Sequence, residues 1–464
     1  MRSAIAWILL IVLVVGSVQA QQAPPQKELS LREAIGYALE HSPLLKSAGA
    51  ETMKRQGNVT TARSSLLPQL DVAGDFSRSR LEHGYPGGTP PGLLRFARTS
   101  YSASADLRML VWDFQKTSIE LSAARERVSG SRALEDRRKQ EVIFEVAQLY
   151  LQALTYHDLL QALEARRKSL ASLLDQTNEL VKAGRAVPVD AFKIQTQIAQ
   201  IDSDSATLEA GRKANLSTLA VVMGYEGEPP KLVYSPAKEL PPSAAADEQQ
   251  LVRDATGQRP DLKAARFEAN ASTDLERAAR QSRWPRIDFH ASAIQYGAEN
   301  PASFTSLIGR VLPSLPVPSS SASGAVNDWM VGLHIVLPLF DSGRRSGQIK
   351  AAAAQTEQAR LEEQRLRLNI AREVRTYYAE LQSARARVKA MKESVVQARE
   401  ILRNEQAKYE VGRTVINFVL EAEAALLNSE SQLFQAQRSE AIAALALDLA
   451  LGRIRADSAA LQQP

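Results

Sequence analysis

Leu67-Pro68-Gln69-Leu70-Asp71 recurs as Trp284-Pro285-Arg286-Ile287-Asp288, and Pro43-Leu44-Leu45-Lys46 recurs as Pro260-Asp261-Leu262-Lys263, both at an offset of 217 positions. From Val111-Trp112-Asp113 against Leu339-Phe340-Asp341 the offset becomes 228. It then holds through Glu145-Val146 and Tyr150 (Glu373-Val374 and Tyr378), Gly184-Arg185 (Gly412-Arg413) and Gly224 (Gly452). A register kept this far marks a duplicated unit, the second copy carrying extra residues between its Pro-x-x-Asp and aromatic-Asp segments. The copies are expected at 21–225 and 251–453, joined by a Pro-rich linker at 226–250 and followed by a tail at 454–464.

Inside each copy the period changes from helix to strand and back. Tyr101, Ala103, Ala105, Leu107, Met109 and Val111 alternate with Ser102, Ser104, Asp106, Arg108 and Leu110, and the second copy places Trp329, Val331, Leu333, Ile335 and Leu337 on one face. Period two with one apolar face is the mark of a strand exposed differently on its two sides. Partner strands begin at Leu70 and Ile287, with Leu70, Val72 and Phe76 or Ile287, Phe289, Ala291 and Ala293 in alternation. The unit reads helix, strand, loop, strand, long helix. Stretches 81–98 and 297–326, rich in Gly, Pro and Ser, are expected as hairpin loops.

Strands of about 9 to 11 tilted residues suffice to cross a bilayer. Four of them cannot enclose a lumen, and an open edge in hydrocarbon leaves backbone groups unsatisfied, so a spanning sheet requires oligomerisation. A small soluble sheet is the alternative reading of the alternation alone.

The helical parts are long. Ile370, Tyr377, Ala384, Met391 and Ala398 interleave with Val374, Leu381, Val388, Val395 and Leu402 at spacings of four and three, a five-heptad seam. The first copy repeats it with Val142, Leu149, Tyr156, Leu163, Leu170 and Val146, Ala153, Leu160, Arg167, Leu174, where only Arg167 interrupts the series. At about 1.5 Å per residue, 118–181 would extend about 95 Å. Gly184 and Gly412 then supply left-handed caps, and Pro188 suits the first turn of a returning helix, which makes each end an αα-hairpin.

The N-terminus orders Arg2, an apolar run at 6–15 and Val18-Gln19-Ala20, the pattern of a secretory signal peptide at 1–20 with a mature chain from near Gln21. The run is short for a membrane anchor, the competing interpretation. No cysteine is present, which excludes disulfides and thiolate metal ligands. The net charge of +5 arises from 57 basic and 52 acidic residues, a balance that, with export, argues against nucleic acid as a partner. Five histidines form no His-Glu-x-x-His array and no phosphate loop follows a strand, so no enzyme, cofactor or metal is expected.

At this point the chain resembles the TolC-like outer-membrane efflux protein family over essentially all of the mature sequence. The resemblance is carried by Leu29-Ser30-Leu31-Arg32-Glu33-Ala34-Ile35, Leu67-Pro68-Gln69-Leu70, Leu337-Pro338-Leu339-Phe340-Asp341-Ser342-Gly343, and Tyr409-x-x-Gly412 with Val419-Leu420-Glu421-Ala422. It implies a mainly α fold with a membrane β-barrel: a trimeric α/β-barrel channel in which three protomers each give four strands, with long coiled helices in the periplasm. It also implies a passive duct whose partners are a periplasmic adaptor protein and an inner-membrane transporter, with outer-membrane lipid around the barrel. The outer channel of one-step polypeptide secretion is the competing function, and a secreted coiled-coil protein without a pore is the alternative from another class.

The resemblance also assigns candidate residues. Gly184 and Gly412 match tip glycines of adaptor grooves, beyond serving as helix caps. Asp190 and Tyr409 match a gate pair that fastens neighbouring coils, although Asp190 also suits a helix N-terminus by charge alone. The gate arginine is displaced, with Thr414 at its position and Arg413 beside it. Glu421 matches a lumen carboxylate that would favour cations, whereas the second carboxylate position holds Phe418 and suggests an apolar constriction; an outward, solvated Glu421 is the plain alternative. Trp112, Trp329 and Phe340 suit membrane-interface anchoring or packing at the strand-to-helix junction.

Overall fold

The computed structural model describes residues 28–82, 95–234, 247–299 and 326–455. The expected signal peptide at 1–20, the tail from 456 and most of the two expected hairpin loops lie outside the described residues. Contacts divide the chain into two compact units, and each draws segments from both sequence copies.

The first unit comprises Met1–Ser47, Asp136–Arg259 and Asn369–Pro464. Helix α1 (Leu31–His41) starts at a capping box, in which the Glu33 carboxylate accepts from the Ser30 amide at 2.9 Å and the Ser30 hydroxyl accepts from the Glu33 amide. Its apolar face, Leu31, Ala34, Ile35 and Ala38, packs on Val142, Val146 and Tyr150 of α3 (Lys116–Lys182) and on Leu219 and Met223 of α4 (Pro188–Met223). Leu29 bridges Leu232 in parallel, and the buried Tyr150 hydroxyl donates to the Val233 carbonyl at 2.6 Å, which ties the linker's described start to the core. Burial pushes the Tyr150 phenol up to about 12.

Gly224 ends α4 with φ +69°, and a Cβ there would come within 2.6 Å of the His41 carbonyl oxygen. Its duplicate Gly452 approaches Arg259, the residue preceding Pro260 as Ser42 precedes Pro43. These breaks separate α1 from α2 (Pro43–Ser64) and α5 (Glu248–Gln258) from α6 (Pro260–Gln281), since the residue before proline is driven out of the helical region.

The seams bury as their spacing requires. Ile370, Val374, Leu381, Val388 and Val395 of α7 (Arg344–Glu410) are all buried, as are Val142, Val146, Ala153, Leu163 and Leu170 of α3. Arg167 leaves the seam and pairs instead with Asp202 of α4 at 2.8 Å. Leu163 and Leu170, Ile194 and Ile201 of α4, and Ile416 and Val419 of α8 (Ile416–Ala450) form one cluster.

The second unit comprises Ala48–Glu135 and Pro260–Leu368. Its antiparallel sheet has the order β1 (Gln69–Glu82), β2 (Arg95–Trp112), β3 (Arg286–Glu299) and β4 (Val326–Val336), so the central β2–β3 ladder joins the two copies. The strands reach further toward the hairpin ends than the sequence reading placed them. A bulge between Leu110 and Trp112 shifts the register, so Trp112, rather than Val111, stands opposite Ile287 on the apolar face.

Each strand pair leads into a long helix through a turn that the duplicated aspartate caps. Asp113 Oδ2 accepts from the Thr117 amide at 2.9 Å, and Asp341 accepts from the Gly343 and Arg345 amides, both at 3.2 Å. The turns use consecutive left-handed residues, Phe114 (φ 55°) and Gln115 (φ 67°) in one copy and Ser342 (φ 52°) and Gly343 (φ 87°) in the other.

Candidate functional site

The candidate residues gather on two surfaces: the hairpin ends of the first unit and the sheet of the second. At the first hairpin, the Gly184 amide donates to Val181 O at 3.0 Å and the Arg185 amide to Leu180 O at 2.8 Å; at the second, Gly412 donates to Tyr409 O at 2.9 Å and Arg413 to Lys408 O at 2.8 Å. These paired bonds close the C-termini of α3 and α7 with glycine left-handed, φ +68° and +71°. A Cβ on either glycine would meet nothing within 4 Å, so any side chain added there projects outward.

Around both glycines exposed apolar side chains stand among the exposed charges of Lys182, Arg185, Glu410 and Arg413. Val187, Val189, Phe192, Val411, Val415 and Phe418 are each more than half exposed. The spacing does not single out the four valines or Phe192; the only signal is the apolar start of each returning helix, three positions past its cap glycine.

Asp190 sits in the first turn of α4 and pairs with Lys193 at 3.6 Å, while Lys193 Nζ donates to Asn417 Oδ1 of α8 at 3.0 Å. Tyr409 on α7 shares a 3.3 Å hydrogen bond with the buried Thr177 hydroxyl on α3. Within the protomer, then, Asp190 and Tyr409 hold different partners: Asp190 pairs within α4, while the Lys193–Asn417 and Tyr409–Thr177 bonds join the α3/α4 hairpin to the α7/α8 hairpin. Arg413 is exposed at the turn, and Thr414 donates to Glu405 at 3.3 Å.

Phe418 and Glu421 are exposed on the first turns of α8. Glu423, two positions on, is buried: Ser169 of α3 donates to it at 2.6 Å, and burial raises its carboxyl above the usual range against the opposing pull of that bond and of Arg166. Nothing in the spacing singled out Glu423.

On the sheet, cross-strand register brings Leu70, Leu107, Ala291 and Val331, and likewise Val72, Ala105, Ala293 and Trp329, side by side on one face. That face is exposed, Trp329 to 78% and Val72 to 78%, far more apolar surface than an unpartnered soluble sheet presents to water. The opposite face carries Asp71, Asp75, Asp106, Asp288, His290 and His334, with His290 Nε2 lying 3.5 Å from Asp106 Oδ1 and the Ser77 and Ser100 hydroxyls 2.8 Å apart. The outer edges of β1 and β4 have no strand partner among the described residues. Trp112 packs edge-on to Phe114, which stacks on Trp284 at 5.2 Å, while Phe340 lies beyond the end of β4 and is 87% exposed.

No group of three or more metal-binding side chains occurs among the described residues, and no described helix is long and apolar enough to cross a membrane. The sequence model described as outer membrane efflux protein matches residues 34–225 and 251–453. The outer membrane efflux protein BepC of Brucella suis is 26% identical over 97% of this chain and 91% of its own length, and the outer membrane protein TolC of Vibrio cholerae is 22% identical over 92% and 91%. The crystal structure of the Campylobacter jejuni CmeC outer membrane channel superposes with a TM-score of 0.73 at 16% identity, over 93% of this chain and 88% of that one.

Proposed function

From its membership of the outer membrane efflux protein family, to which this chain belongs, we infer that three protomers pool their strands into one closed barrel in the outer membrane and that their helices form a periplasmic export duct. The observation that carries this reading is the sheet: one face apolar and exposed, the other polar, and both edges unpaired among the described residues. In hydrocarbon, an unpaired edge leaves a row of backbone donors and acceptors unsatisfied at several kcal/mol each, about the cost of burying an amide without a partner. Joining the β4 edge of one protomer to the β1 edge of the next satisfies all of them and turns the polar face to the lumen.

The duct is passive. Small molecules leave through it, and the work is done by an inner-membrane transporter coupled through a periplasmic adaptor. The exposed apolar side chains about Gly184 and Gly412, with the charges between them, are the adaptor's docking surface, and a side chain at either glycine would stand in the way. Phe418 and Glu421 line the entrance, where three copies of the carboxylate favour cations. Trp112, Trp329 and Phe340 anchor the barrel at the lipid boundary.

Planar-bilayer recording tests this directly. Purified protein should give discrete conductance steps with a preference for cations that weakens in Glu421→Gln. Absence of steps from correctly assembled protein would refute the duct.

A further inference from the structure

Arg166 of α3 and Glu423 of α8 face each other with side chains 11% and 3% exposed, yet their closest approach, Nε to Oε2, is 3.9 Å. Those two atoms and Arg166 Nη2 have no hydrogen-bond partner among the described residues. They border a cavity of about 240 Å³ lined also by Ala165, Leu402, Leu427 and Glu430. The other buried charge pair between these helices, Arg438 with Asp158, is a direct contact of 2.9 Å. A buried pair repays its desolvation only when its geometry is good and its remaining hydrogen bonds are satisfied. Arg438 donates directly to Asp158 and leaves only its Nε without a partner among the described residues, whereas Arg166 and Glu423 make no hydrogen bond to each other.

α3 belongs to one hairpin of the protomer and α8 to the other, so any widening at the hairpin ends must shift this contact. We propose that the Arg166–Glu423 pair favours opening of the duct, because both charges are poorly paired while the hairpins are together and regain water when they part. The inference rests on the duct reading above. It makes the pair a counterweight to the Thr177–Tyr409, Lys193–Asn417 and Ser169–Glu423 hydrogen bonds, which hold the same hairpins together.

The sign with pH follows from linkage. Burial raises the Glu423 carboxyl in the closed arrangement, and a parted, hydrated Glu423 returns toward its ordinary value, so a proton binds the closed state more tightly. Acidification through the window above the ordinary carboxyl value therefore closes the duct. The other charged groups facing the pair are Asp204 from α4, which acts on Arg166, and Glu430 of α8, which Arg399 of α7 holds at 3.1 Å.

The test is open-state occupancy in single-channel recordings without an adaptor, on variants first confirmed as trimers in detergent. Arg166→Met, which strands the buried carboxylate, should open more often than wild type. The double replacement Arg166→Met with Glu423→Leu should open less often, on the order of tenfold, since apolar substitution of a poorly paired buried ion pair stabilises packing by that much. Isosteric Glu423→Gln, which keeps the Ser169 bond but cannot titrate, should lose the acid-induced closure that wild type shows. A double variant that opens as often as wild type, or a Glu423→Gln variant with the wild-type pH profile, would overturn the proposal. Should the double variant fail to assemble, Glu423→Gln decides alone. Wild-type protein without conductance steps would instead remove the duct reading and this inference with it.

Discussion

The hydroxyls of Tyr409 on α7 and Thr177 on α3 lie 3.3 Å apart, with Thr177 fully buried, so one hydrogen bond spans the two hairpins just inside their ends. Tyr409→Phe keeps the ring and deletes the bond, leaving the Thr177 hydroxyl without its partner. The closed state should lose about 1 kcal/mol, which raises the open-to-closed ratio roughly fivefold. Single-channel occupancy measures it. Asp190→Asn should shift occupancy less, because Asp190 reaches the second hairpin only through Lys193 and Asn417. If Tyr409→Phe gates like wild type, the hydroxyl pair plays no part in closure.

Docking at the hairpin ends separates two effects of the glycines. Asparagine tolerates the left-handed conformation, so Gly412→Asn should retain adaptor binding to a large extent. Gly412→Trp should assemble as a trimer and fail in adaptor pull-down, its side chain projecting from a position where a Cβ meets nothing within 4 Å. Gly184→Trp should behave alike. Equal adaptor affinity for the tryptophan variants and wild type would place docking elsewhere.

The strand-to-helix turns predict a stabilising change. Copy two places Gly343 where copy one has Gln115, at φ 67°. Gln115→Gly removes a left-handed penalty of about 1 kcal/mol, partly offset by the greater freedom of glycine in the unfolded chain. Thermal dissociation of the detergent-solubilised protein should move upward by a few degrees. A downward shift would mean that the Gln115 side chain stabilises the turn.

Gly224→Ala should act in the opposite direction. The added methyl sits 2.6 Å from His41 O at a positive φ, where both sterics and backbone conformation oppose it, for a loss of about 2 kcal/mol or more. The same thermal assay reads it, and an unchanged midpoint would show that the α1–α2 break yields freely.

Particular residues show what the sequence made legible. The strand faces and the α7 seam follow from spacing, because a period of two or of three and four admits one buried side. Trp112 did not, since a single bulge moves it to the apolar face and a bulge leaves no mark in the alternation. Glu421 and Glu423 differ by two positions, roughly 200° around a helix, so only the phase of α8 decides which is buried. The recurring Asp113 and Asp341 were visible as a repeat, but their work as helix caps needs the turn geometry that the structure supplies.

On the proposed assembly, this chain closes its sheet only by joining two others. Native mass spectrometry of the protein extracted from outer membranes in mild detergent tests that most directly. A particle of three chains, each beginning near Gln21, is expected. A particle of one chain, with the β1 and β4 edges left free, would contradict it.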